Sequence, residues 1–313
     1  MNASMNKILG GALAAQVVLG AVMWWPRGDT TVAATPLLDV ASADVTAIEV
    51  TGRITDGKAP DPVRLERRGP DGWVITSAWD YPADPKKVTD ALDALTSVKV
   101  RSPIATNKTS HAQLKVGDAE YGRKVKVTAG DKTFDLVIGA AASKSVNVRK
   151  ATEDAVYVGN GMSEWTLGDR ARSYWDTSIV DADVALVDTF SVSGPSGALA
   201  LTKGAEGAWT AVGPTEPVAL DTKKVEDLLR KAVKLRMTEV MAGAAAPEHG
   251  LAAGHVVTFQ SAGGEATTYT VGADQESAYA ALQVDGKPWV YKIAKSTATA
   301  IRDASVASLS AAP

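Results

Sequence analysis

Read as apolar and polar positions, the chain opens on one unbroken apolar run and then repeats a single mixed pattern twice. Residues 8–25, ILGGALAAQVVLGAVMWW, carry no charge, and Gln16 is their only strongly polar residue. As a helix at roughly 1.5 Å per residue the run is about 27 Å long, close to the ~30 Å hydrocarbon core of a bilayer. Trp24 and Trp25 fall at its end, where amphipathic rings favour the membrane interface, and Pro26, Arg27, Gly28 and Asp29 stop it. This predicts a transmembrane anchor over 8–25, with residues 1–7 cytoplasmic and the bulk of the chain in the periplasm, at the inner membrane. The competing reading is a cleaved signal peptide, because Val32-Ala33-Ala34 has the small-x-small form of a cleavage site. The run is longer than a usual signal core of about 7–15 residues, and the candidate site lies well past its end. Under both readings the remainder is exported.

Residues 26–43 are rich in Thr, Ala, Pro and Gly and lack periodicity, which predicts a linker. Beyond it the pattern doubles. VTAIEVTG (45–52) and VDTFSVSG (187–194) both alternate as half-buried strands do. A second strand follows in each, VRLER (63–67) and LALTK (199–203), then a glycine turn and Trp73 or Trp209 at the same offset. Each copy next predicts a helix, capped by Asp84 with Pro85 at its first turn, or by Asp221-Thr222. Val88, Ala91, Leu92 and Leu95 match Val225, Leu228, Leu229 and Ala232, one apolar stripe at i, i+3, i+4, i+7. Phe134, Leu136 and Ile138 alternate up to Gly139, as Tyr269 and Val271 do up to Gly272. Val156-Tyr157-Val158 and Trp289-Val290-Tyr291 supply a further strand, with helical segments expected around 162–174 and 295–309.

The expected fold class is therefore α+β. It is a tandem duplication of a mainly antiparallel sheet domain, with one principal amphipathic helix per copy, preceded by one N-terminal transmembrane helix. The copies are expected over 44–180 and 181–313. They are joined by a packed stretch containing Tyr174, Trp175 and Ile179, so they should move little relative to each other.

The tandem Trp, Pro-x-Asp helix start, strand-plus-Gly element and late aromatic strand resemble the domain-of-unknown-function family 4340. The resemblance runs through Trp73, Pro82, Asp84, Gly139 and Tyr157, and again through Trp209, Asp221, Gly272 and Tyr291. Gly250-Leu251 keeps a Gly-Leu element of that family, where the first copy departs with Gln113-Leu114. The resemblance implies a membrane-anchored periplasmic protein beside an ABC-type permease and auxiliary subunits, in some members linked to gliding motility. It implies no catalytic residues.

Composition then narrows the chemistry. A net charge of −3, with no Lys/Arg run longer than two, argues against nucleic acid as a partner. The absence of cysteine removes disulfides, thiolate nucleophiles and Cys-ligated metal. His111, His249 and His255 come without a metal-binding spacing, and read as loop or packing histidines. Gly194-Pro195-Ser196-Gly197 lacks the elbow of a serine hydrolase and reads as a turn. Gly159-Asn160-Gly161 reads as a turn rather than an anion cradle, and Asn107-Lys108-Thr109 is a chance glycosylation triplet. No catalytic, metal or cofactor residues are expected, and the chain reads as a non-enzymatic accessory or scaffold subunit. Trp79 and Tyr81, aromatics that only the first copy has before its helix, are the candidate partner contact, and the competing reading is packing on their own domain. The alternative is a ligand-binding module holding a polysaccharide or peptide between the copies, with Trp165, Tyr174 and Trp175 lining a concave surface.

Overall fold

In the computed structural model, which describes residues 16, 33–69, 72–141, 144–213, 218–241, 247–273 and 279–311, the alternating segments become two antiparallel sheets. The first half opens with β1 (Thr35–Pro36), β2 (Val45–Gly52), β3 (Val63–Arg68), β4 (Gly72–Ile75) and β5 (Tyr81–Pro82). A helix over Pro85–Thr96 follows, then β6 (Lys99–Val100), β7 (Arg123–Ala129), β8 (Lys132–Ala140), β9 (Ser145–Lys150) and β10 (Val156–Asn160). Eight of these strands make one sheet in the order β10-β9-β8-β7-β2-β3-β4-β5.

The second half runs through β11 (Ser178–Asp181), β12 (Val187–Gly194), β13 (Gly197–Lys203) and β14 (Trp209–Ala211) to a helix over Thr222–Val233. It continues with β15 (Lys234–Arg236), β16 (Glu239–Met241), β17 (His255–Ser261), β18 (Ala266–Val271), β19 (Tyr279–Val284) and β20 (Val290–Ala294). Its sheet has the order β14-β13-β12-β17-β18-β19-β20-β16. β2 and β12 hold the same central place, β2 between β3 and β7 and β12 between β13 and β17.

Alternation decides which face is buried. Ile48 and Val50 of β2 point to the helix, with Glu49 between them turned outward, and Phe190 and Val192 of β12 do the same around Ser191. The helix stripes named above, Val88 to Leu95 and Val225 to Ala232, are all buried against these inner faces. Each such side chain contributes roughly 1.5–3 kcal/mol relative to exposure if it is large and aliphatic.

The α+β expectation is corrected to a mainly β architecture. Beyond the two principal helices, the α-helices among the described residues are Lys295–Arg302 and Val306–Leu309. The sequence reading undercounted strands because several are two or three residues long, too short to show a period. The segment expected as helix around 162–174 forms only 3-10 turns, Glu164–Thr166 and Ala171–Ser173. Gly168 lies between them where a Cβ would fall 2.2 Å from that of Ser173, a fold-back no continuous helix allows. The expected transmembrane helix over 8–25 lies outside the described residues except for Gln16. Among the described residues no helix is long and apolar enough to cross a membrane.

Two recurrences rest on contacts between segments distant in the sequence. β1 pairs with β6 and β11 with β15, so each half begins with a strand that meets the one just after its principal helix. Leu37 and Leu38, inside the segment expected as a linker, are thereby buried in the first core. The second recurrence is the glycine ending β8 or β18. A Cβ on Gly139 would meet the carbonyl oxygens of Leu114 and Lys115 at 2.5 Å, and one on Gly272 that of His249 at 2.2 Å. In both halves a covering loop lays its backbone on the sheet at that glycine. The first loop buries a small second core of Val116, Tyr121, Val137 and Val156 on the outer face.

Candidate functional sites

The contact between the halves is built where the first sheet ends. After the 3-10 turn Thr76–Ala78, Trp79 and Asp80 both adopt left-handed backbone, φ 57° and 53°, and turn the chain sharply into β5. Side chains with a Cβ pay for that conformation, about 1–2 kcal/mol each. The turn delivers Tyr81 into a buried seam. Its ring meets Trp289 edge-on at 5.2 Å between centroids and 76° between planes, and Tyr291 at 6.3 Å and 74°. Its hydroxyl donates to the carbonyl of Asp176 at 2.8 Å, and Trp289 Nε1 donates to the carbonyl of Trp79 at 3.2 Å. Burial raises the ionisation of Tyr81 far above the usual phenol range, with Tyr291 and Asp176 adding to it. Tyr291 is pushed up to about 12 by burial and then by Asp176.

The connector completes the seam. Asp84 N–H donates to the carbonyl of Tyr174 at 2.8 Å, and Lys87 Nζ to that of Trp175 at 2.8 Å. The end of the second half repeats the arrangement, with Asp221 N–H on Leu309 at 2.8 Å and Lys224 Nζ on Ser310 at 2.9 Å. In each copy the segment after the closing turn clamps the start of the principal helix. In the first copy that segment is also the link to the second.

The expected partner aromatics therefore separate. Tyr81 is 3% exposed and serves the contact between the halves, whereas Trp79 remains half exposed. The three aromatics expected to line a concave surface between the copies, Trp165, Tyr174 and Trp175, differ in exposure. Tyr174 and Trp175 are buried, and Trp165 stands exposed on the first half.

Two buried polar clusters occupy equivalent places. In the first half Arg123, 2% exposed, opens β7 beside Gly52. It donates to the carbonyls of Gly122 at 2.8 Å and Leu167 at 3.3 Å, and pairs with Asp169 at 3.3 Å. Arg53 pairs with Glu164 at 3.1 Å, and both guanidinium groups lie 5.2 Å from the centroid of the Trp165 ring. The adjoining groove, about 420 Å³, is lined by Arg53, Lys115, Tyr121 and Glu164 among others. Its charges are matched in pairs, Lys115 with Glu120 at 2.8 Å as well as Arg53 with Glu164.

In the second half His255 takes the place of Arg123, against Gly194. Its Nε2 is hydrogen-bonded to Ser196 Oγ, which also reaches the carbonyl of Arg302 at 3.3 Å. Arg302 is buried and donates to the carbonyl of Gly272 at 3.0 Å. Burial lowers the pKa of His255, Arg302 lowers it further, and Asp303 opposes them. A serine beside a histidine invites comparison with a hydrolase, whose base is oriented through its second nitrogen. Here Nδ1 of His255 is buried without a hydrogen-bond partner among the described residues. His255 also fills the strand position that Arg123 fills in the other copy. It closes the end of the sheet beneath the last turns, as Arg123 and Asp169 do. The sequence signal for this pair was Ser196 in its turn, but nothing in the spacing tied it to His255.

The remaining sequence candidates resolve into local structure. His111 is buried, its Nε2 2.9 Å from the carbonyl of Asp154. Asn107 Oδ1 caps a 3-10 turn, accepting from Ser110 N at 3.2 Å and Thr109 Oγ1 at 2.6 Å. Among the described residues no group of three His, Cys, Asp or Glu side chains is placed to hold a metal ion.

The model of the family described as Domain of unknown function (DUF4340) matches residues 73–254, more than half of the chain. The match starts at the tryptophan of the first copy and ends at the threshold of β17 in the second. No curated protein and no solved structure matches the chain.

Proposed function

The chain belongs to the DUF4340 family, and on that premise we propose that it is a non-enzymatic accessory or scaffold subunit of an ABC-transporter-type membrane complex. The apolar run 8–25 holds it at the inner membrane and the two sheets stand in the periplasm. The observation that carries this reading is the seam. Tyr81, Trp289 and Tyr291 join the halves through edge-on ring contacts, and the connector is clamped to the first helix start. A filled aromatic contact of this kind resists hinge motion. A scaffold needs that property, because it must offer its surfaces at a fixed separation. The equivalent placing of Arg123 and His255 at the end of each sheet supports the non-enzymatic part, because it gives both side chains a shared place in the fold.

The partners in this reading are an ABC-type permease and its auxiliary subunits, as the family resemblance implies. Affinity purification of the full-length protein from its native membranes is the test. Co-recovery of a permease is expected, and recovery without any transporter component would remove the reading.

A further inference from the structure

The chain reaches the first sheet at one particular end of its strands. Thr35 and Pro36 of β1 pair with Val100 and Lys99 of β6. Ala34, just before them, forms one wall of an open groove of about 550 Å³. Lys99, Arg101, Ser102, Asn160 and Gly161 are among its other walls. Gly161 N–H donates to the carbonyl of Lys144 at 3.1 Å, which sets a third lysine at the edge of the groove. Lys99, Arg101 and Lys144 are all exposed. No acidic residue lines the groove, and among the described residues none of the three cations has an ion-pair partner.

Other grooves of the molecule balance their charges. Beside Trp165, Arg53 and Lys115 are answered by Glu164 and Glu120. In the groove after the second principal helix, Arg230 pairs with Asp227 at 2.8 Å and Lys234 with Asp181 at 3.4 Å. Like charges side by side repel, so an unmatched cluster at one place calls for an anion from outside the chain.

The position of the groove says which anion. Residues 26–34 alone separate Trp25, at the end of the apolar run, from β1. Fully extended, at about 3.3–3.6 Å per residue, they reach about 30 Å. Asn160, Ser145 and Ala140 mark the arrival end of the strands, and the turn from Ala129 to Lys132 marks the other end. β8 covers that distance in 9 residues, which is again about 30 Å. Seating the sheet on a bilayer by its far end would therefore use up the whole reach of the tether. Seating it by the arrival end leaves the tether slack and brings three unmatched cations to the lipid surface, where anionic headgroups attract them. We infer that this groove rests on the bilayer, with Lys99, Arg101 and Lys144 against the phosphates of anionic phospholipid headgroups. The inference rests on the anchor reading of residues 8–25 and is independent of the transporter partners.

The chain has no cysteine, so a single engineered one takes a fluorophore cleanly. Ser102→Cys places it at the groove, and Asp131→Cys places it in the turn at the far end of the strands. Each full-length protein would be reconstituted into phosphatidylcholine vesicles, with or without phosphatidylglycerol, that carry a quencher on a few headgroups. With phosphatidylglycerol present, the label at Ser102→Cys is expected to be strongly quenched and the label at Asp131→Cys to stay bright. A Lys or Arg near an anionic surface strengthens attachment about fivefold, so adding Lys99→Gln and Arg101→Gln should lower the docked-to-free ratio about twentyfold. Vesicles of phosphatidylcholine alone, or high salt, should act in the same direction. Flotation of the same vesicles after an alkaline wash reports the anchor separately. Protein that floats but is quenched equally at both labels overturns the inference and leaves the anchor standing. So does quenching at Ser102→Cys that neither lipid charge nor the two substitutions change. Protein stripped off by the wash overturns the anchor and this inference together.

Discussion

A single equivalent position, the first residue of β7 or β17, shows how one backbone accommodates two chemistries. Arg123 brings a permanent charge and answers it with Asp169 and two carbonyls, whereas His255 stays neutral by burial against Gly194 and Ser196. This difference makes the second half sensitive to acid. The folded-state pKa of His255 lies below its ordinary value, through burial and the neighbouring Arg302, with Asp303 opposing. The unfolded chain therefore takes up a proton near pH 6.5 that the folded chain resists. Stability from this site is full above that range and is lost as pH falls through it towards the lowered folded-state value. The loss reaches at most about 1.4 kcal/mol per pH unit within that window. Urea unfolding of the wild type and His255→Gln at pH 8, 6.5 and 5.5 is the measurement. The variant is expected to be weaker at pH 8 but to lose less on acidification. Parallel curves for the two proteins would show that His255 is not the group responsible.

At the scale of elements, the principal helices are held by the same device twice. Asp84 Oδ1 accepts from Lys86 N at 2.9 Å and Lys87 N at 3.3 Å, and Asp221 Oδ1 from Lys223 N at 2.9 Å and Lys224 N at 3.2 Å. Asp84→Ala and Asp221→Ala should each lower the unfolding free energy by about 1 kcal/mol, and Asn at either site should restore most of it. The sites share no partners, so the double variant should add to within about 0.5 kcal/mol. A double variant no weaker than either single one would contradict the caps as independent. These caps were legible in the sequence because a helix start is a local event, with Asp, Pro and the stripe beginning at Val88 all within a few residues. The central strands β2 and β12 were legible for the same reason, their period being written in consecutive positions. β1, β6, β11 and β15 were not, since two to four residues hold no period and their pairing depends on chain far away. Gly139 and Gly272 were visible as a repeated glycine, but the covering backbone that requires them is distant in sequence. The Ser196–His255 pair was hidden likewise, and the groove shared by Ala34, Arg101 and Asn160 emerges only when β1 meets β6.

For the whole molecule, the question is whether two complete sheets behave as one cooperative body. Tyr81 belongs to the first core yet touches Trp289 and Tyr291 of the second, and Trp289 also donates to the carbonyl of Trp79. Edge-on aromatic pairs contribute about 0.5–1.5 kcal/mol beyond the area they bury. That coupling is small beside the stability of a domain, about 5–15 kcal/mol. It nonetheless acts directly between the two halves, alongside the contacts of the connector. Trp289 is the right residue to remove, because it sits at the edge of its own half, packed against the core rather than within it. Trp289→Ala is therefore expected to leave each sheet folded while loosening their contact. Calorimetry of the wild type should give one endotherm with equal calorimetric and van't Hoff enthalpies. In the variant that endotherm should broaden or split, with the calorimetric enthalpy exceeding the van't Hoff value. Tyr81→Phe gives the complementary result, since it keeps the ring contacts and loses only the bond to the Asp176 carbonyl, so its endotherm should stay single. If Trp289→Ala keeps a single sharp transition at the wild-type temperature, the aromatic seam is not what couples the halves. The fixed separation invoked for a scaffold would then have to come from the connector, through Lys87 and the carbonyl of Trp175.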